Sequence, residues 1–393
     1  MTPETLSRED PVAIAESLGP QLSASALAVE RSRQLDQQVV DALNHHQLFD
    51  LLRPAAFGGL EATIKTQLQV SAQLGEACVS TAWCHTVWGV HAWLLAHFPT
   101  EAQEEVWVST EGAAPLISAS LLPRGRVEQP AQSIIVNGQW EFASGCDYAE
   151  WFLLGALVPG ADREPPTPYL FLVPRDACAI ADNWHVSGLS GTGSKDVIVA
   201  RQTIPPHRQL ALNDVRERRS PGLNPNRHSL YRNPLFGVLA VVLAGAPLGG
   251  ARGALNEYAM RLRRRTMTSG RAQSELASAH LRLAESAADI DAATLMLERV
   301  CDDLAAAGAG PAPPLMERAR YTRDTAYAVR LCARAVNRLY EASGGHALQT
   351  TSPIQRFWRD VNAASTHATI NWDTQGENYG RIAIGLEPSM PRV

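Results

Sequence analysis

The chain has 393 residues, of which 45% are hydrophobic and 19% are charged, and 35 basic against 40 acidic residues give a net charge of -5. This composition suits one or two globular domains with large cores and excludes disordered and collagen-like chains. Because no basic excess concentrates phosphate groups or anionic lipid, nucleic acid and membrane surfaces are poor candidates as partners.

The apolar pattern changes twice along the chain. From 11 to 111 apolar residues recur at helical spacing. Between 114 and 206 short β-rich runs follow, which turn residues such as Asn137-Gly138 and a loop at 159–168 separate. Helical patterns then return, and the predicted helices are 235–269, 271–308, 315–343 and 354–372.

This order predicts an α+β fold of three domains without βαβ alternation or internal repeats. They are an N-terminal helical domain at 1–112, a central β-barrel or sandwich at 113–225, and a C-terminal helical bundle at 226–393. The apolar run 234–251 contains two prolines and several glycines, which favours a buried helix over a membrane span.

Cysteine spacing and the N-terminus predict a reduced, cytoplasmic chain. The six cysteines form no CxxC pair, so neither a zinc site nor a disulfide framework is expected. The first residues carry acids where a signal peptide needs a basic start, so we expect no export.

Two familiar motifs are excluded by their context. The glycine-rich stretch 188–194 (GLSGTGS) precedes a strand-like run, whereas a dinucleotide-binding fingerprint precedes a helix. His85, His91 and His97 recur every six residues, a step of about 600° on a helix, so neighbouring rings point apart and no metal site is predicted.

Several segments, in their order and spacing, resemble one superfamily across nearly the whole chain. These segments are LFDLLRPAAFGGLEA (48–62), GEACVSTAWCHTVWGVHAWLLAHFPTEAQEEVW (75–107), WEFASGCDYAEWFLL (140–154), WHVSGLSGTGSKDVIV (184–199) and YEASGGHALQTTSPIQRFWRDVNAASTHATINWD (340–373). They resemble the acyl-CoA dehydrogenase superfamily and, within it, the oxygenase components of two-component flavin-dependent monooxygenases, of the hydroxyphenylacetate hydroxylase and dibenzothiophene monooxygenase types.

The resemblance implies a fold, an assembly and a reaction. The C-terminal helices would form a four-helix bundle in a homotetramer, with a flavin between the central β domain and the bundle. A separate reductase would supply reduced FMN or FAD, which with molecular oxygen forms a C4a-hydroperoxyflavin that hydroxylates an aromatic, preferably phenolic, small molecule in bacterial natural-product or aromatic metabolism. FMN and FAD are left undecided.

The dehydrogenase branch of this superfamily requires a carboxylate base. In most of its members a glutamate follows the motif that matches Arg359-Asp360, but here His367 stands near that place and no glutamate precedes Glu377. The second known location, in the apolar helix 235–250, contains no acid. An oxygenase is therefore favoured, with an N- or S-oxygenase, an acyl-CoA dehydrogenase or an inactive scaffold as alternatives.

The candidate catalytic residues are His367, His91 and Ser144. The resemblance places His367 where it would deprotonate a phenol, with Asp360 seven residues earlier on the same predicted helical face. Arg356 and Asp360, at i and i+4, are interpreted as an ordinary ion pair. His91 shares a helical stripe with Trp83, which the resemblance places beside flavin and substrate.

The remaining candidates are cofactor-binding residues. Ser144 would support the flavin N5 region or merely cap a turn, and which of the two alternating strand residues Ser118 and Ser120 faces the site stays open. The resemblance also assigns Arg265 to the flavin phosphate. Because Arg265 belongs to the Arg-rich run 261–265, a solvated surface position is the alternative for it. The proposed cofactor contacts are Trp83, Ser118, Ser120, Ser144, Trp184, Thr192, Ser194 and Arg265.

Overall fold

A computed structural model of the protein describes residues 10–108, 115–129, 133–160, 165–224, 228–264 and 272–390. Six helices form the first part: α1 (Pro11–Ser17), α2 (Gly19–Ser32), α3 (Gln37–His45), α4 (Ile64–Gly75), α5 (Val79–Leu95) and α6 (Thr100–Trp107). Every residue of α5 is buried, which explains why its sequence is apolar all round rather than on one face.

Seven strands follow: β1 (Ile117–Glu128), β2 (Ile134–Ala143), β3 (Trp151–Val158), β4 (Thr167–Pro174), β5 (Cys178–Ala181), β6 (Lys195–Ile204) and β7 (Gln209–Ala211). They form one sheet in the order β5-β6-β2-β1-β3-β4-β7. Strands β1 and β3 are parallel, and the other neighbours are antiparallel.

Strand β1 joins two halves of the sheet that pack on each other. Its first residues pair with β3 and its last with β2, with a register shift between Ser120 and Gly125. Apolar side chains of both halves, including Trp140 and Phe152, form a second core. The Trp140 Nε1–H donates to the Gly155 carbonyl at 2.7 Å, so the halves are also bonded. The central part is a sheet folded on itself, in agreement with the sandwich prediction.

The last part is helical: α7 (Leu212–Arg216), α8 (Leu235–Leu243), α9 (Gly245–Arg264), α10 (Ala277–Ala309), α11 (Leu315–Ala342), α12 (Pro353–Ser365) and α13 (Trp372–Ala383). Helices α9 to α12 pack together as a four-helix bundle. Gly249 brings α9 against α4, because a Cβ at this position would lie 2.0 Å from the Ala72 carbonyl oxygen.

One stretch of the described chain, Leu235–Arg264, is long and apolar enough to cross a membrane. Within its apolar window 89% of the residues are buried inside the protein, as in the core helix of a soluble fold. The predicted single helix 235–269 is wrong within this stretch, because it breaks between α8 and α9. Pro247 has no N–H to donate to the carbonyl four residues earlier, so the ladder is interrupted there.

Two further predictions are wrong in detail. The last predicted helix, 354–372, ends at Ser365. There the hydroxyls of Ser365 and Thr366 donate to carbonyls of the final turn. A separate helix, α13, then begins after Asn371, whose side chain caps it by accepting from the Thr374 N–H. Asn137-Gly138 is not a turn but lies inside β2, where the register shifts. The predicted domain boundaries, at 112/113 and 225/226, lie outside the described residues.

Candidate active site

The buried helix α5 presents an indole to the central sheet. The Trp83 Nε1–H donates to Ser144 Oγ at 3.1 Å, just after β2 ends. Ser144 Oγ lies 2.7 Å from Ser194 Oγ, which lies 2.6 Å from Thr192 Oγ1. Thr192 Oγ1 in turn donates to the Leu189 carbonyl at 2.7 Å. We call Ser144, Ser194 and Thr192 the hydroxyl chain.

Each hydroxyl has one hydrogen, and this fixes the direction of the chain. The Thr192 hydroxyl donates its hydrogen to the Leu189 carbonyl, so it accepts a hydrogen bond from Ser194. Ser194 must then accept from Ser144, which itself accepts from Trp83. All three hydrogens are therefore engaged, and the hydroxyl chain presents only lone pairs to any further group.

Ser118 and Ser120 extend the same acceptor character along β1. Ser118 Oγ donates to the Ser144 carbonyl and Ser120 Oγ donates to the Glu141 carbonyl, both at 2.8 Å. Both serines are buried and face the end of β2, so the choice between them that the sequence left open does not arise. Five hydroxyl groups thus converge where β1, β2 and the loop 188–194 meet.

The loop 188–194 is held against α12. A Cβ on Gly188 would lie 2.3 Å from the Arg359 carbonyl oxygen, so only glycine allows this approach. Next to it, the Leu189 N–H donates to Asp360 Oδ1 at 2.7 Å, with Leu189 in the left-handed region at φ 56°. Burial raises the pKa of Asp360 to about 6, although the Leu189 N–H opposes this shift.

The predicted Arg356–Asp360 ion pair is wrong: neither residue pairs with the other, and the Asp360 carboxylate orders the loop instead. Asp360 also does not share a helical face with His367, because α12 ends between them. The contact between Asp360 and Leu189 spans 171 positions, so no local pattern in the sequence indicates it.

His367 lies in the turn after α12, with its ring centroid 5.6 Å from that of Trp83 in an edge-to-face arrangement. Its Nδ1 accepts from the Thr369 N–H at 3.3 Å, which selects the neutral tautomer with hydrogen on Nε2. His367 is exposed, unlike the histidines of α5. The structure thus brings His367, Trp83 and the hydroxyl chain together from three distant parts of the sequence.

His91 occupies a different environment. Its Nδ1–H donates to the Ile117 carbonyl at 2.8 Å, at the start of β1. Burial lowers the pKa of His91 to about 4, although this backbone bond partly opposes the shift. The ring is therefore neutral near pH 7 with Nε2 as an acceptor, so His91 is no proton donor there.

Two aromatic rings border the loop on its outer side. The Trp184 Nε1–H donates to the Leu189 carbonyl at 3.2 Å, and its ring is edge-on to Phe142 at 6.1 Å between centroids. Phe142 is 59% exposed and holds a left-handed φ of 65°. The sequence analysis did not single out Phe142. The signal that could have indicated it is an aromatic residue directly before the ASG turn. Arg265 lies outside the described residues.

Among the described residues no group of three or more metal-ligating side chains occurs. His85 bonds Ser71 and the Leu48 carbonyl, and His97 bonds Ser220, so these histidines serve separate contacts. All six cysteines are unpaired thiols.

Comparison with known proteins identifies the family. Models of the acyl-CoA dehydrogenase N-terminal and C-terminal domains match residues 14–110 and 241–372. The oxygenase component of an FADH2-dependent resorcinol hydroxylase from Rhizobium sp. is 35% identical, over 93% of this chain and 91% of its own. The crystal structure of the HsaA monooxygenase from M. tuberculosis superposes with a TM-score of 0.91 at 34% identity, covering 98% of this chain and 100% of that one. XiaF from Streptomyces sp., solved with FADH2 and glycerol, gives a TM-score of 0.90 at 28% identity, covering 98% of both chains.

The fold is that of the acyl-CoA dehydrogenases. Within it, the chain belongs to the oxygenase components of the flavin-dependent monooxygenases. It is an oxidoreductase that uses reduced flavin and molecular oxygen, which confirms the predicted family, fold and cofactor class.

Proposed function

We propose that this chain hydroxylates a phenolic small molecule with reduced FAD that a separate reductase supplies. The juxtaposition of His367 and Trp83 beside the hydroxyl chain carries the proposal. The names of the relatives support FAD and an aromatic substrate, since one is an FADH2-dependent resorcinol hydroxylase and another a p-hydroxyphenylacetate 3-hydroxylase, both oxygenase components.

The chemistry of the hydroxyl chain fits a reduced flavin. Reduction places a hydrogen on N5 of the isoalloxazine, so the reduced ring offers one more donor than the oxidised ring. Ser144 and Ser194 have only lone pairs to offer, because their hydrogens are engaged. When bound, the reduced flavin activates molecular oxygen for transfer to the substrate.

In this proposal each candidate residue has a distinct task. Trp83 and the hydroxyl chain hold the reacting edge of the flavin, with Ser144 as its nearest support. Ser118 and Ser120 order that edge of the sheet, Trp184 borders the ring, and Arg265 pairs with a flavin phosphate. Helices α5 and α9 and the sheet behind them exclude water, which protects an oxygen-activating site.

We assign the phenol to His367. With hydrogen on Nε2, the ring donates to a phenolate oxygen and stabilises its charge without a tautomer change. A base role for Nε2 requires the other tautomer, which breaks the bond from the Thr369 N–H. Phenolate stabilisation raises the electron density of the ortho carbon, the expected site of hydroxylation. We also propose His91 Nε2 as a neutral acceptor for the substrate.

A dehydrogenase is disfavoured because the described residues at the two expected positions of its base offer no suitable carboxylate. Helix α8 contains no acid, and Asp360 is buried with Oδ1 engaged by the Leu189 N–H. An N- or S-oxygenase would not need a phenolate partner, so the role of His367 separates it from a phenol hydroxylase.

The exposed face of α10 supports a homotetramer. Leu281 and Leu295 are 64% and 68% exposed, and exposed Ala288 lies midway between them at heptad spacing. A long apolar stripe of this kind is typical of a helix that packs against another copy. Light scattering should give four chains per particle, and a monomer would contradict this assembly. The free thiols favour the cytoplasm.

The test is product analysis under ¹⁸O₂. The protein is loaded anaerobically with reduced FAD, and separately with reduced FMN, then mixed with ¹⁸O₂ and resorcinol or its dimethyl ether. We expect a hydroxylated resorcinol carrying one ¹⁸O atom, more product with FAD than with FMN, and none from the ether. Release of hydrogen peroxide without labelled product from resorcinol and other simple phenols would contradict the proposal.

A further inference from the structure

A second cavity lies away from the hydroxyl chain, with which it shares no residues. Its volume is about 550 Å³, and it opens between the segment after α7, the start of α8 and the connection from α10 to α11. Arg216, Arg218 and Arg318 line it, together with apolar residues that include Phe236.

The cavity carries an excess of positive charge. Glu217 is the one carboxylate among its described lining residues, and this side chain is exposed and pairs with Arg219 at 2.6 Å. Burial lowers the pKa of Arg318, and the neighbouring charge of Arg216 lowers it further. Both arginines line the cavity, so an anion bound there is attracted by the two charges together.

The arginines of the cavity differ in the contacts that they already make. Arg218 donates to the Gly310 and Ala307 carbonyls at 3.0 and 2.7 Å, which closes the end of α10. Arg216 stacks its guanidinium 5.7 Å from the centre of the Phe236 ring. In the described part of the chain Arg216 makes no ion pair, so its five N–H donors remain for a ligand.

Backbone donors meet the arginines in the same cavity. Helix α8, nine residues long, has no side-chain cap, and its first residues Leu235, Phe236 and Gly237 line the cavity. The first N–H groups of a helix have no intrahelical acceptor, so the start of α8 favours an anion.

An unpartnered polar side chain also lines the cavity. Asn233 lies two residues before α8 begins and is only 5% exposed, and its Oδ1 has no hydrogen-bond partner in the described part of the chain. The amide also carries an NH₂ group, which can donate to an anion. Guanidinium groups, helix N–H groups and an amide form a donor set for tetrahedral oxyanions.

We propose that this cavity is a binding site for a phosphate-type oxyanion, either free or as the phosphate group of an organic ester. Arg216 and Arg318 bind the anion, the first turn of α8 donates N–H groups, and Phe236 provides a surface for an organic part. The site is independent of the flavin and the phenol.

The test is calorimetric titration of the protein, with reduced FAD at saturation under anaerobic conditions so that flavin phosphate sites are filled. Inorganic phosphate and phenyl phosphate are the two probes. We expect one site per chain. Tighter binding of phenyl phosphate identifies an ester as the ligand, whereas equal affinity identifies the free ion.

Variants locate the anion. Arg216→Gln and Arg318→Gln should each weaken binding about tenfold, and Arg216→Lys should weaken it less. Arg201→Gln, which changes an exposed arginine of β6 that does not line the cavity, should bind as the wild type does. Arg216→Gln removes no hydrogen bond of the described chain, and a thermal melt checks that it folds. Absence of saturable binding by both probes, or wild-type affinity in Arg216→Gln and Arg318→Gln, would overturn the proposal.

Discussion

The histidines of α5 and of the turn that follows it differ in environment from the histidine after α12. His85, His91 and His97 are buried, and each is tied to a different element: the Leu48 carbonyl, the Ile117 carbonyl and the Ser220 hydroxyl. His367 is exposed in a turn and meets Trp83 edge-on. The first group resists protonation and fastens the fold, whereas the second is accessible to a substrate.

The comparison teaches that proximity in sequence and shared residue type do not indicate shared function. Burial lowers the pKa to about 4 for His85 and His91 and to about 3 for His97. His85 and His97 are therefore neutral scaffold groups at physiological pH, and His91 is a neutral acceptor. The residue that we propose binds the phenol lies in a turn where side-chain hydrogen bonds end a helix.

The largest effect that tests the difference between these histidines is expected when His367 is removed. In His367→Ala we expect phenol hydroxylation to fall by about a hundredfold or more, because the phenolate loses its hydrogen-bond partner. Reduced-FAD affinity should change little. His45→Ala removes another exposed histidine and should leave turnover unchanged. Equal turnover in His367→Ala and the wild type would contradict the assignment of the phenol to His367.

The buried group is tested through stability. His85 accepts at Nδ1 from Ser71, which accepts from Thr86, and its Nε2–H donates to the Leu48 carbonyl. His85→Ala breaks this network and leaves a cavity, so we expect a loss of about 2 to 3 kcal/mol in the free energy of unfolding. Urea denaturation measures it, with His45→Ala as the control. A change below about 0.5 kcal/mol would contradict the scaffold role.

Acid should destabilise the protein through the same residues. An unfolded histidine titrates near 6.5, whereas folded His85, His91 and His97 bind protons only near pH 4 or 3. The unfolded chain therefore binds more protons below 6.5, and stability that is complete above this pH is lost as the pH falls toward 4. Asp360 acts oppositely, since its pKa is raised from 3.8 to about 6.

Asp50, Glu76, Glu150 and Glu257, whose pKa values burial also raises, act in the same direction as Asp360, so the histidine contribution is measured by comparing variants with the wild type. His91→Asn should reduce the slope of unfolding free energy against pH by about one proton, or about 1.4 kcal/mol per pH unit. His45→Asn should leave the slope unchanged. A slope that is unchanged in His91→Asn would show that this ring is not buried as described.

The smallest effect is expected at Asp360. Asp360→Asn keeps an oxygen acceptor for the Leu189 N–H and should be nearly neutral, whereas Asp360→Ala removes the acceptor and should cost about 1 kcal/mol. Amide hydrogen exchange at Leu189 should accelerate in Asp360→Ala alone. Equal exchange in the two variants would show that the carboxylate does not order the loop.

Much of the fold was predictable because long helices and strands repeat a local period. The helix that carries Trp83 and His91, and the turn before β6, follow from spacing alone. The end of α12 was not predictable from apolar periodicity, because it depends on Ser365 and Thr366 bonding to their own backbone.

The site itself was predictable only as a set of residues. Their resemblance to a family selected the hydroxyl groups and His367, but not the direction of the hydroxyl chain. That direction depends on contacts between residues 50 and 61 positions apart, Ser144 with Ser194 and Trp83 with Ser144. The hydrogen bond by which Asp360 orders the loop 188–194 joins residues 171 positions apart in the sequence. The left-handed conformation of Phe142 is also not indicated by any pattern in the sequence.

The most direct test of the central claim compares the affinities for reduced and oxidised FAD. An acceptor-only hydroxyl chain should favour the reduced ring, which carries the extra N–H, and Ser144→Ala should diminish this preference about tenfold. Ser25→Ala, whose hydroxyl bonds the Leu22 carbonyl within α2, should retain it. Anaerobic titration measures both affinities. A preference for reduced FAD that is unchanged in Ser144→Ala would contradict the claim that the hydroxyl chain receives the flavin.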